Sequence, residues 1–203
     1  MKLYFSPGAC SLSPHIALRE AGLHFDLDQV DLGTKKTVEG KDFTSINPNG
    51  YVPALELADG QVLTEGPAIV QYIADQVPDK HLAPPAGSIA RYKLMSSLNF
   101  ISTELHKTFG PLFKSTTPEE ARNATLAYLA KRLDYVNTQL VKTNFFCGDQ
   151  FSVADAYLFT VLSWSRYVKL DLTPWPSVVA YLERVGARPA VHAALVAEGL
   201  VKG

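Results

Sequence analysis

The chain contains very little cysteine, with only Cys10 and Cys147 among its 203 residues. Two cysteines are too few for a disulfide framework and too few for a zinc site built from cysteine ligands. The five histidines show none of the H-x-x-x-H or H-E-x-x-H spacings of common metal sites. We therefore expect a protein with no metal and no structural disulfides, which suits a reducing cytosol.

An excess of charge of one sign is also lacking, since 19 Lys and Arg face 20 Asp and Glu. A formal net charge of -1 gives no overall field that would attract nucleic acid or an anionic membrane surface. The strongest apolar run, roughly residues 153 to 164, contains Asp155 and is shorter than the ~18 residues of a membrane span. The first residues reach Pro7 and Gly8 before a signal peptide could form. These absences predict a soluble, cytoplasmic protein with no nucleic-acid or membrane partner.

The composition that is present, 47% hydrophobic and 19% charged, is typical of a globular protein, and the length allows two sub-cores. In the first part of the chain, apolar residues repeat with the period of strands and then of helices. The patterns predict strands at 2–5, 25–30, 52–57 and 61–63, helices at 12–21 and 67–75, and a helical turn within the irregular segment 33–49. The order β-α-β-α-β-β-α predicts a mixed four-stranded sheet of thioredoxin-like type covered by helices.

Prolines between residues 78 and 85 mark the point after which no strand pattern follows. We therefore predict a first, α/β domain over residues 1–80 and an all-helical second domain over residues 87–203. The second domain should begin with one long amphipathic helix from Ser88 to about Phe113.

Capping signals mark two further helix starts in the second domain. One is Thr117-Pro118-Glu119-Glu120, with a threonine cap and a proline at the first helical position. The other is Ser152-Val153-Ala154-Asp155, which resembles a capping box before an almost wholly apolar helix. Two shorter helices are expected near residues 177–185 and 190–197.

Three short segments carry residues that could take part in chemistry. Cys10 lies between the first strand and the first helix, where unpaired N–H groups and the helix dipole favour a thiolate. Val52-Pro53-Ala54 begins a strand with proline, as an edge strand or a cis-proline corner does. Glu65-Gly66-Pro67 opens a helix with a carboxylate and unhindered N–H groups, which could hold both charges of an amino-acid head group. Each segment also has an ordinary explanation, as a small apolar residue, a strand edge or an acidic helix start.

Together these segments resemble a known family. The chain contains, in order, Ser6-Pro7-Gly8-Ala9-Cys10-Ser11, Asn47-Pro48-Asn49-Gly50 leading to Val52-Pro53-Ala54-Leu55, Glu65-Gly66-Pro67-Ala68-Ile69 and Ser152-Val153-Ala154-Asp155. Four motifs at this spacing, spread over the chain, resemble the glutathione transferases. A cysteine in the first loop together with His106 in the long helix is similar to the bacterial beta class. The resemblance implies a thioredoxin-like domain followed by an all-helical domain.

The resemblance also implies roles for residues of the first domain. Cys10 would touch the glutathione sulfur, and Lys35 would reach the glycine carboxylate of the peptide. The backbone of Val52, before a cis-Pro53, would pair with the cysteinyl part.

The γ-glutamyl end of glutathione would be held by Glu65 and Gly66. Position 66 usually carries a serine or threonine hydroxyl in this family, and Gly66 has none. One contact would then be lost or passed to backbone N–H groups, and the affinity for glutathione would be lower.

A second group of implied glutathione-site residues lies on the long helix of the second domain. Asn99, Thr103 and His106 are three or four residues apart and so share one face of an α-helix, where the family lines the thiol site and the dimer cleft. Glu104 and Lys107 flank this face. His106 is implied as the second catalytic residue, although a histidine at such a place can also be a satisfied structural group.

The implied protein is a homodimeric detoxification enzyme that stabilises the glutathione thiolate for attack on a small apolar electrophile. Thiol–disulfide exchange through Cys10 is a second implied activity. The alternatives are a glutaredoxin-like thiol transferase or dehydroascorbate-type reductase, and a non-enzymatic member that binds glutathione or another ligand. The hydroxyls of Tyr4, Ser6 and Ser11 are alternatives to Cys10 as the group beside the sulfur. Cys147 is interpreted as a packed structural thiol.

Overall fold

The computed structural model describes residues 1–202, which divide into two compact units. The first unit contains Met1–Ala83 together with residues 188 to 202, and the second contains Pro84–Ala187. None of the helices within residues 1–202 has the length and hydrophobicity of a membrane span.

A mixed β-sheet of five strands forms the centre of the first unit. The strands are β1 (Lys2–Phe5), β2 (Asp26–Asp31), β3 (Lys36–Thr37), β4 (Ala54–Glu56) and β5 (Val62–Thr64), in the order β3-β2-β1-β4-β5. β1 and β2 are parallel, and the other neighbouring pairs are antiparallel. The thioredoxin-like mixed sheet is confirmed, but the predicted number of four strands is wrong. β3 has only two residues, which is too short for an alternating pattern to reveal it.

Helices α1 (Leu12–Ala21) and α2 (Gly66–Asp75) pack against each other and contact the sheet. α1 ends where Gly22 adopts a φ of 69°, a left-handed conformation that glycine reaches without steric cost. α2 has Pro67 in its first turn, where the missing N–H removes no helical hydrogen bond. Both helices predicted from the apolar periodicity are therefore present.

The last helix, α9 (Pro189–Ala197), belongs to the first unit. It packs on α1, and Arg188 donates to both carboxylate oxygens of Glu20 at 2.6 and 2.8 Å. The sequence pattern indicates a second domain that runs from residue 87 to the C-terminus, so the place of α9 differs from this expectation. The ion pair joins residues 168 positions apart, a contact that local periodicity does not reveal.

The second unit is all-helical. Its helices are α3 (Ile89–Phe100), α4 (Lys107–Phe109), α5 (Glu119–Leu140), α6 (Val153–Ser163), α7 (Ser165–Val168) and α8 (Pro176–Gly186). A π-helical segment, Ile101–His106, joins α3 to α4, and a 3-10 turn, Gly110–Phe113, follows. The long helix predicted over residues 88 to 113 is thus continuous but not a regular α-helix. A wider π turn changes which side chains share a face, so the α-helical spacing of the site residues on this helix does not hold throughout.

The two predicted helix starts of the second unit have different outcomes. α5 begins at Glu119, but the Thr117 hydroxyl donates to the Pro111 carbonyl at 2.7 Å instead of capping the helix. α6 begins with the predicted capping box, in which the Asp155 carboxylate accepts the Ser152 N–H and hydroxyl, each at 2.9 Å. The box is confirmed, and it fixes the start of a helix that is buried along nearly its whole length.

Asp155 is a fully buried carboxylate surrounded by donors. Its Oδ1 atom accepts the Phe146 N–H at 2.8 Å and the Tyr181 hydroxyl at 3.1 Å, in addition to the Ser152 groups on Oδ2. Burial raises the pKa of Asp155 above its usual value, while these hydrogen bonds oppose the rise. Removal of the carboxylate would leave several buried donors without an acceptor.

Asp155→Ala should therefore lower the free energy of unfolding by about 2–5 kcal/mol. Ser152→Ala should cost less, about 0.5–2 kcal/mol, because the Ser152 N–H can still donate to Asp155. Urea unfolding followed by circular dichroism measures both changes. Asp149→Ala, at an exposed position of the same loop, is the control and should change stability by less than about 0.5 kcal/mol. Equal stability of the Asp155 variant and this control would contradict the role given to the capping box.

Candidate functional site

Cys10 lies in the loop between β1 and α1, where short local turns fix its backbone. The Ala9 N–H donates to the Ser6 carbonyl at 3.0 Å, and the Ser13 N–H donates to the Cys10 carbonyl at 3.2 Å. Cys10 is half-buried, and its thiol donates to the Val52 carbonyl oxygen at 3.2 Å. The first loop and the segment that precedes β4 therefore meet at the cysteine sulfur.

Two of the three hydroxyls that are alternatives to Cys10 have other partners. Tyr4 is buried, and its hydroxyl donates to the Glu56 carboxylate at 2.6 Å. Burial, that hydrogen bond and the charge of Glu56 raise the pKa of Tyr4 far above its usual value. The Ser11 hydroxyl accepts the Ser6 N–H at 3.1 Å and donates to the Ser6 carbonyl at 3.2 Å. Tyr4 and Ser11 therefore support the sheet and the loop, and Cys10 stays the favoured candidate.

Two groups near the Cys10 loop are not indicated by the sequence. The Val52 carbonyl accepts the S–H, which favours the thiol over the thiolate, opposite to the effect expected from the start of α1. A carboxylate also contacts the loop, because the Gly8 N–H donates to Glu198 Oε2 at 2.9 Å. The sequence has no acidic residue near Cys10 in the first loop, whereas Glu198 reaches the loop from the far end of the chain. Glu198 therefore brings to the loop a carboxylate that the local sequence does not indicate.

The Val52–Pro53 peptide bond is cis, as the resemblance implies. β4 begins one residue later, at Ala54, which lies opposite Tyr4 on β1 and Thr64 on β5. Because the antiparallel ladder begins at Ala54, the backbone N–H and carbonyl of Val52 lie outside it. An extended peptide could pair with these groups as an added strand does.

Glu65 and Gly66 lie at the start of α2. Glu65 has a φ of 67° and a ψ of 113°, a backbone conformation that costs of order 1–3 kcal/mol for a residue with a side chain and is concentrated at functional sites. A Cβ atom placed on Gly66 would have Pro53 Cγ as its nearest neighbour, at 4.0 Å. Gly66 therefore adjoins the cis proline, and a small side chain would fit at this position without a clash.

Lys35 lies beside the segment that leads to Val52. Its Nζ atom donates to the Gly50 carbonyl at 2.9 Å and lies 5.8 Å from the centre of the Tyr51 ring. Gly50 has a φ of 63°, and a Cβ atom placed there would lie 3.5 Å from the Lys35 side chain. Glycine at position 50 thus allows the turn, whereas a Cβ atom there would make only ordinary van der Waals contact with the lysine.

The residues predicted for the first domain are therefore joined by contacts into one continuous surface, which we call the first-unit site. Lys35 contacts residues 50 and 51, Cys10 contacts Val52, and Pro53 adjoins Gly66. The first-unit site offers the Lys35 ammonium group, the Cys10 thiol, backbone donors and acceptors and, at one end, the Glu65 carboxylate. These groups complement a short peptide that carries a thiol and ionised ends. Among residues 1–202, no group of three or more His, Cys, Asp or Glu is arranged to hold a metal ion.

The residues predicted for the second domain have different surroundings. Three of them are exposed: Asn99, Thr103 and Lys107. The Thr103 hydroxyl donates to the Asn99 carbonyl at 3.0 Å. The Glu104 carboxylate is engaged by α5, where it accepts the Tyr128 hydroxyl at 2.5 Å and Arg132 Nη1 at 3.2 Å. Glu104 thus has partners within its own unit.

His106 faces the interior of the second unit. Its Nδ1 atom lies 2.6 Å from the Tyr157 hydroxyl, and its ring lies edge-on to Trp164 with 4.8 Å between the ring centres. Burial, followed by the charge of Lys107, lowers the pKa of His106 to about 4. The imidazole is therefore neutral at pH 7. No motif in the sequence indicates Tyr157 or Trp164 as its neighbours, because both come from later helical segments.

Cys147 agrees only in part with the packed thiol expected from the sequence. The residue as a whole is exposed, although its sulfur lies near the Ser97 and Ser152 hydroxyls. Burial of the sulfur, together with the charge of Asp155, raises the pKa of Cys147 to about 11, against the effect of the two hydroxyls. Cys147 is therefore almost wholly protonated at neutral pH.

Comparison with known proteins agrees with this geometry. The family model for the glutathione S-transferase N-terminal domain matches residues 8–76, and the model for the C-terminal domain matches residues 100–189. Glutathione S-transferase GstA of Escherichia coli O157:H7 is 52% identical over 98% of this chain and 100% of its own length. The chain belongs to the glutathione transferase family.

Two solved structures are similar to this transferase over nearly its whole length. A sphingomonad glutathione S-transferase complexed with glutathione is 49% identical with a TM-score of 0.95, over 99% of this chain and 100% of that chain. The bacterial beta class glutathione S-transferase of Sphingomonas chungbukensis is 50% identical with a TM-score of 0.96, over the same shares. The resemblance to the bacterial beta class is confirmed, and so is the two-domain fold that it implies.

The low pKa of His106 predicts how the stability of the transferase depends on pH. In the unfolded chain a histidine takes up a proton below about pH 6.5, whereas folded His106 stays neutral until about pH 4. Proton uptake by the unfolded chain then lowers the free energy of unfolding between these two values, by up to about 3 kcal/mol. His106→Asn cannot titrate, so it should lose less stability between about pH 7 and pH 4.5 than the wild type in urea unfolding.

His192→Asn, at an exposed position of the first unit, is the matched control and should keep the wild-type pH dependence. The comparison concerns the change with pH and not the stability at one pH, because the lost contact with Tyr157 also affects stability. Identical pH dependence in His106→Asn and the wild type would contradict the low pKa.

Proposed function

We propose that this transferase binds glutathione along the first-unit site, from Lys35 to Gly66, and joins the glutathione sulfur to small apolar electrophiles. The glutathione thiolate attacks an electrophilic carbon, a carbon–sulfur bond forms, and the leaving group departs with the electron pair of the broken bond. The observation that carries the proposal is the contact between the Cys10 sulfur and the Val52 carbonyl, beside the cis proline. It brings a thiol to the backbone groups with which the cysteinyl part of glutathione would pair.

The ends of glutathione would be held by charges of opposite sign. The Lys35 ammonium would pair with the glycine carboxylate, and the Glu65 carboxylate would pair with the γ-glutamyl ammonium group. The N–H groups at the start of α2, beginning at Gly66, would bind the γ-glutamyl carboxylate. The peptide would therefore lie with its cysteinyl residue beside Val52 and its sulfur beside Cys10.

Binding of glutathione would also change the partner of Cys10. Once the cysteinyl N–H donates to the Val52 carbonyl, that oxygen is less available to the Cys10 S–H, which it accepts at 3.2 Å. The S–H could then donate to the glutathione thiolate and stabilise its negative charge. Cys10 would thus act as a hydrogen-bond donor to the reacting sulfur in conjugation.

The second-unit residues implied by the resemblance are proposed to contribute to the same reaction. His106 would act as a neutral imidazole, because its pKa is lowered to about 4, and so would contribute a hydrogen bond but no positive charge at pH 7. The exposed side chains of Asn99, Thr103 and Lys107 are suited to polar contacts with glutathione. Glu104 would contact it while held by α5. The apolar electrophile would rest in the helical unit.

Thiol–disulfide exchange is a second proposed activity, favoured by the same placement of Cys10. With a disulfide between glutathione and a small thiol, the Cys10 thiolate attacks the glutathione sulfur and the small thiol leaves as a thiolate. A second glutathione thiolate then attacks the mixed disulfide and leaves as glutathione disulfide, while Cys10 regains its thiolate. Sulfur atoms and electrons balance over the two steps.

Cys10→Ala should separate the two activities. Exchange should be lost, because no sulfur remains to form the mixed disulfide. Conjugation of a chloronitrobenzene should fall by about ten-fold to a hundred-fold but persist, because other donors still stabilise the glutathione thiolate. Both are measured by absorbance assays on the purified variant, with Cys147→Ala as the control that should keep both activities.

Two outcomes of these assays would change the assignment. Full retention of both activities by Cys10→Ala would make Cys10 a packing residue. Glutathione binding by the wild type without either activity would favour the non-enzymatic alternative.

Gly66→Ser should strengthen glutathione binding. The nearest neighbour of a Cβ atom at this position is Pro53 Cγ at 4.0 Å, so the side chain fits, and its hydroxyl adds a donor for the γ-glutamyl carboxylate. A hydrogen bond to a charged group predicts a KM for glutathione about ten-fold lower, with kcat little changed. Gly66→Ala, which adds the Cβ atom alone, is the matched control. An equal change of KM in both variants would show that the hydroxyl is not responsible.

We further propose a cytoplasmic homodimer. Apolar side chains are exposed at helical spacing on α3, at Ile89, Tyr92 and Met95, and on α5 at Tyr128 and Tyr135. Burial of such faces is a common cause of symmetric association. Sedimentation should give about twice the 22.2 kDa monomer mass at micromolar concentration. Tyr92→Glu should shift the mass towards the monomer and Lys93→Glu should not. A wild-type monomer with full activity would contradict the proposal.

A further inference from the structure

A buried carboxylate from the C-terminal part of the chain contacts the cysteine loop, defined as residues Ser6 to Cys10. Glu198 follows α9, and its side chain is wholly buried. Its Oε2 atom accepts the Gly8 N–H at 2.9 Å, and its Oε1 atom lies 2.8 Å from His15 Nδ1 on α1. Both oxygens thus have a partner in the region that leads from β1 into α1.

Gly8 is well placed to donate to a group outside its own turn. The Ala9 N–H donates to the Ser6 carbonyl at 3.0 Å, so the chain reverses over Pro7 and Gly8. Gly8 has a φ of 71°, as the third residue of a type II turn requires. In such a turn the N–H of that residue has no acceptor within the turn. Glu198 supplies the acceptor, and so connects the turn to α9.

Arg19 determines which nitrogen of His15 carries the proton. Arg19 Nε donates to His15 Nε2 at 2.9 Å, so Nε2 must be an acceptor without a hydrogen. The proton of the neutral ring therefore lies on Nδ1, from which it is donated to Glu198. The ring packs between Phe5 and Phe25, with ring centres 6.2 and 5.6 Å away, and is itself wholly buried. Arg19, His15 and Glu198 thus form one directional series of hydrogen bonds that ends at the cysteine loop.

We infer that Glu198 is a positioning residue that holds the cysteine loop, and with it the Cys10 sulfur, in place for glutathione. The inference rests on the proposed function for its purpose, but the ordering of the loop can be measured without glutathione. Glu198 lies 190 residues from Gly8 along the chain, and one of its oxygens accepts the Gly8 N–H. The other oxygen is bound by His15, whose fixed tautomer orients the carboxylate. Loss of this hold should release Cys10 from the Val52 carbonyl and make its sulfur more reactive.

The hydrogen-bond directions predict an unusual rescue. In Glu198→Gln the amide offers one acceptor, but Gly8 N–H and His15 Nδ1–H are two donors, and Arg19 prevents the histidine from moving its proton to Nε2. In the double variant Arg19→Gln with Glu198→Gln, the residue 19 amide can accept from Nε2–H. His15 Nδ1 then accepts from the residue 198 amide, whose oxygen accepts the Gly8 N–H, so every donor again has an acceptor.

Two measurements on the purified variants test the inference: amide hydrogen exchange of the cysteine loop, and the rate of alkylation of each cysteine by iodoacetamide. In Glu198→Gln we expect Gly8 exchange and Cys10 alkylation each to accelerate by about ten-fold, as for a lost hydrogen bond to a charged group. Cys147 in the same molecule should keep its rate, which a general loss of stability would not allow. Arg19→Gln alone and the double variant should stay within about two-fold of the wild type for both readouts.

Three results would overturn the inference or part of it. Wild-type exchange and Cys10 alkylation in Glu198→Gln would show that Glu198 does not hold the loop. A double variant that behaves like Glu198→Gln would contradict the assignment of the His15 proton to Nδ1. If Glu198→Gln does not fold, Glu198→Asp takes its place, because it keeps the charge but withdraws the carboxylate by one methylene. Gly8 exchange as slow in Glu198→Asp as in the wild type would then contradict the inference. Absence of glutathione activity in the wild type would instead refute the proposed function and leave these readouts intact.

Discussion

A carboxylate that is removed from water must have its oxygens occupied by donors, and this constraint organises both units of the chain. In the second unit, Asp155 accepts hydrogen bonds from the start of α6, from the preceding loop and from Tyr181 on α8. In the first unit, Glu198 accepts from Gly8 and lies against His15 on α1. Glu198 joins segments 190 residues apart, whereas Asp155 joins the start of α6 to the loop before it and to Tyr181. The loops around both carboxylates therefore have little freedom to rearrange.

The constraint also bears on the chemistry of the site. The Cys10 sulfur lies where the first loop meets Val52, and its S–H donates to the Val52 carbonyl. The N–H of a bound peptide would donate to the same oxygen. Chemistry at this sulfur would then depend on the glutathione N–H replacing the Cys10 S–H as the donor to the Val52 carbonyl. His106, with its pKa lowered to about 4 by burial, would contribute a neutral ring at pH 7. The thiolate would therefore be stabilised mainly by hydrogen bonds and backbone dipoles.

Features that depend on neighbouring residues could be predicted from the sequence. The capping box of α6 and the helices α1 and α2 that contact the sheet are set by local pattern, and the family motifs indicated the cis peptide bond at Pro53 and the loop that contains Cys10. Features that depend on distant residues could not. The short strand β3 pairs with β2, the π segment contacts α5 and α6, and α9 packs on α1 with Arg188 bound to Glu20. Glu198 belongs to no motif, and only the folded chain shows that it meets Gly8.

The proposed site depends on the Cys10 thiol lying beside the sulfur of bound glutathione. Alkylation of the wild type by iodoacetamide, followed for each cysteine by peptide mass spectrometry with and without S-methylglutathione, tests it most directly. S-methylglutathione has no thiol to consume the reagent. Cys10 should react faster than Cys147, whose pKa is raised to about 11, and the ligand should protect Cys10 alone. Equal rates at the two cysteines, or alkylation of Cys10 that saturating ligand leaves unchanged, would contradict it.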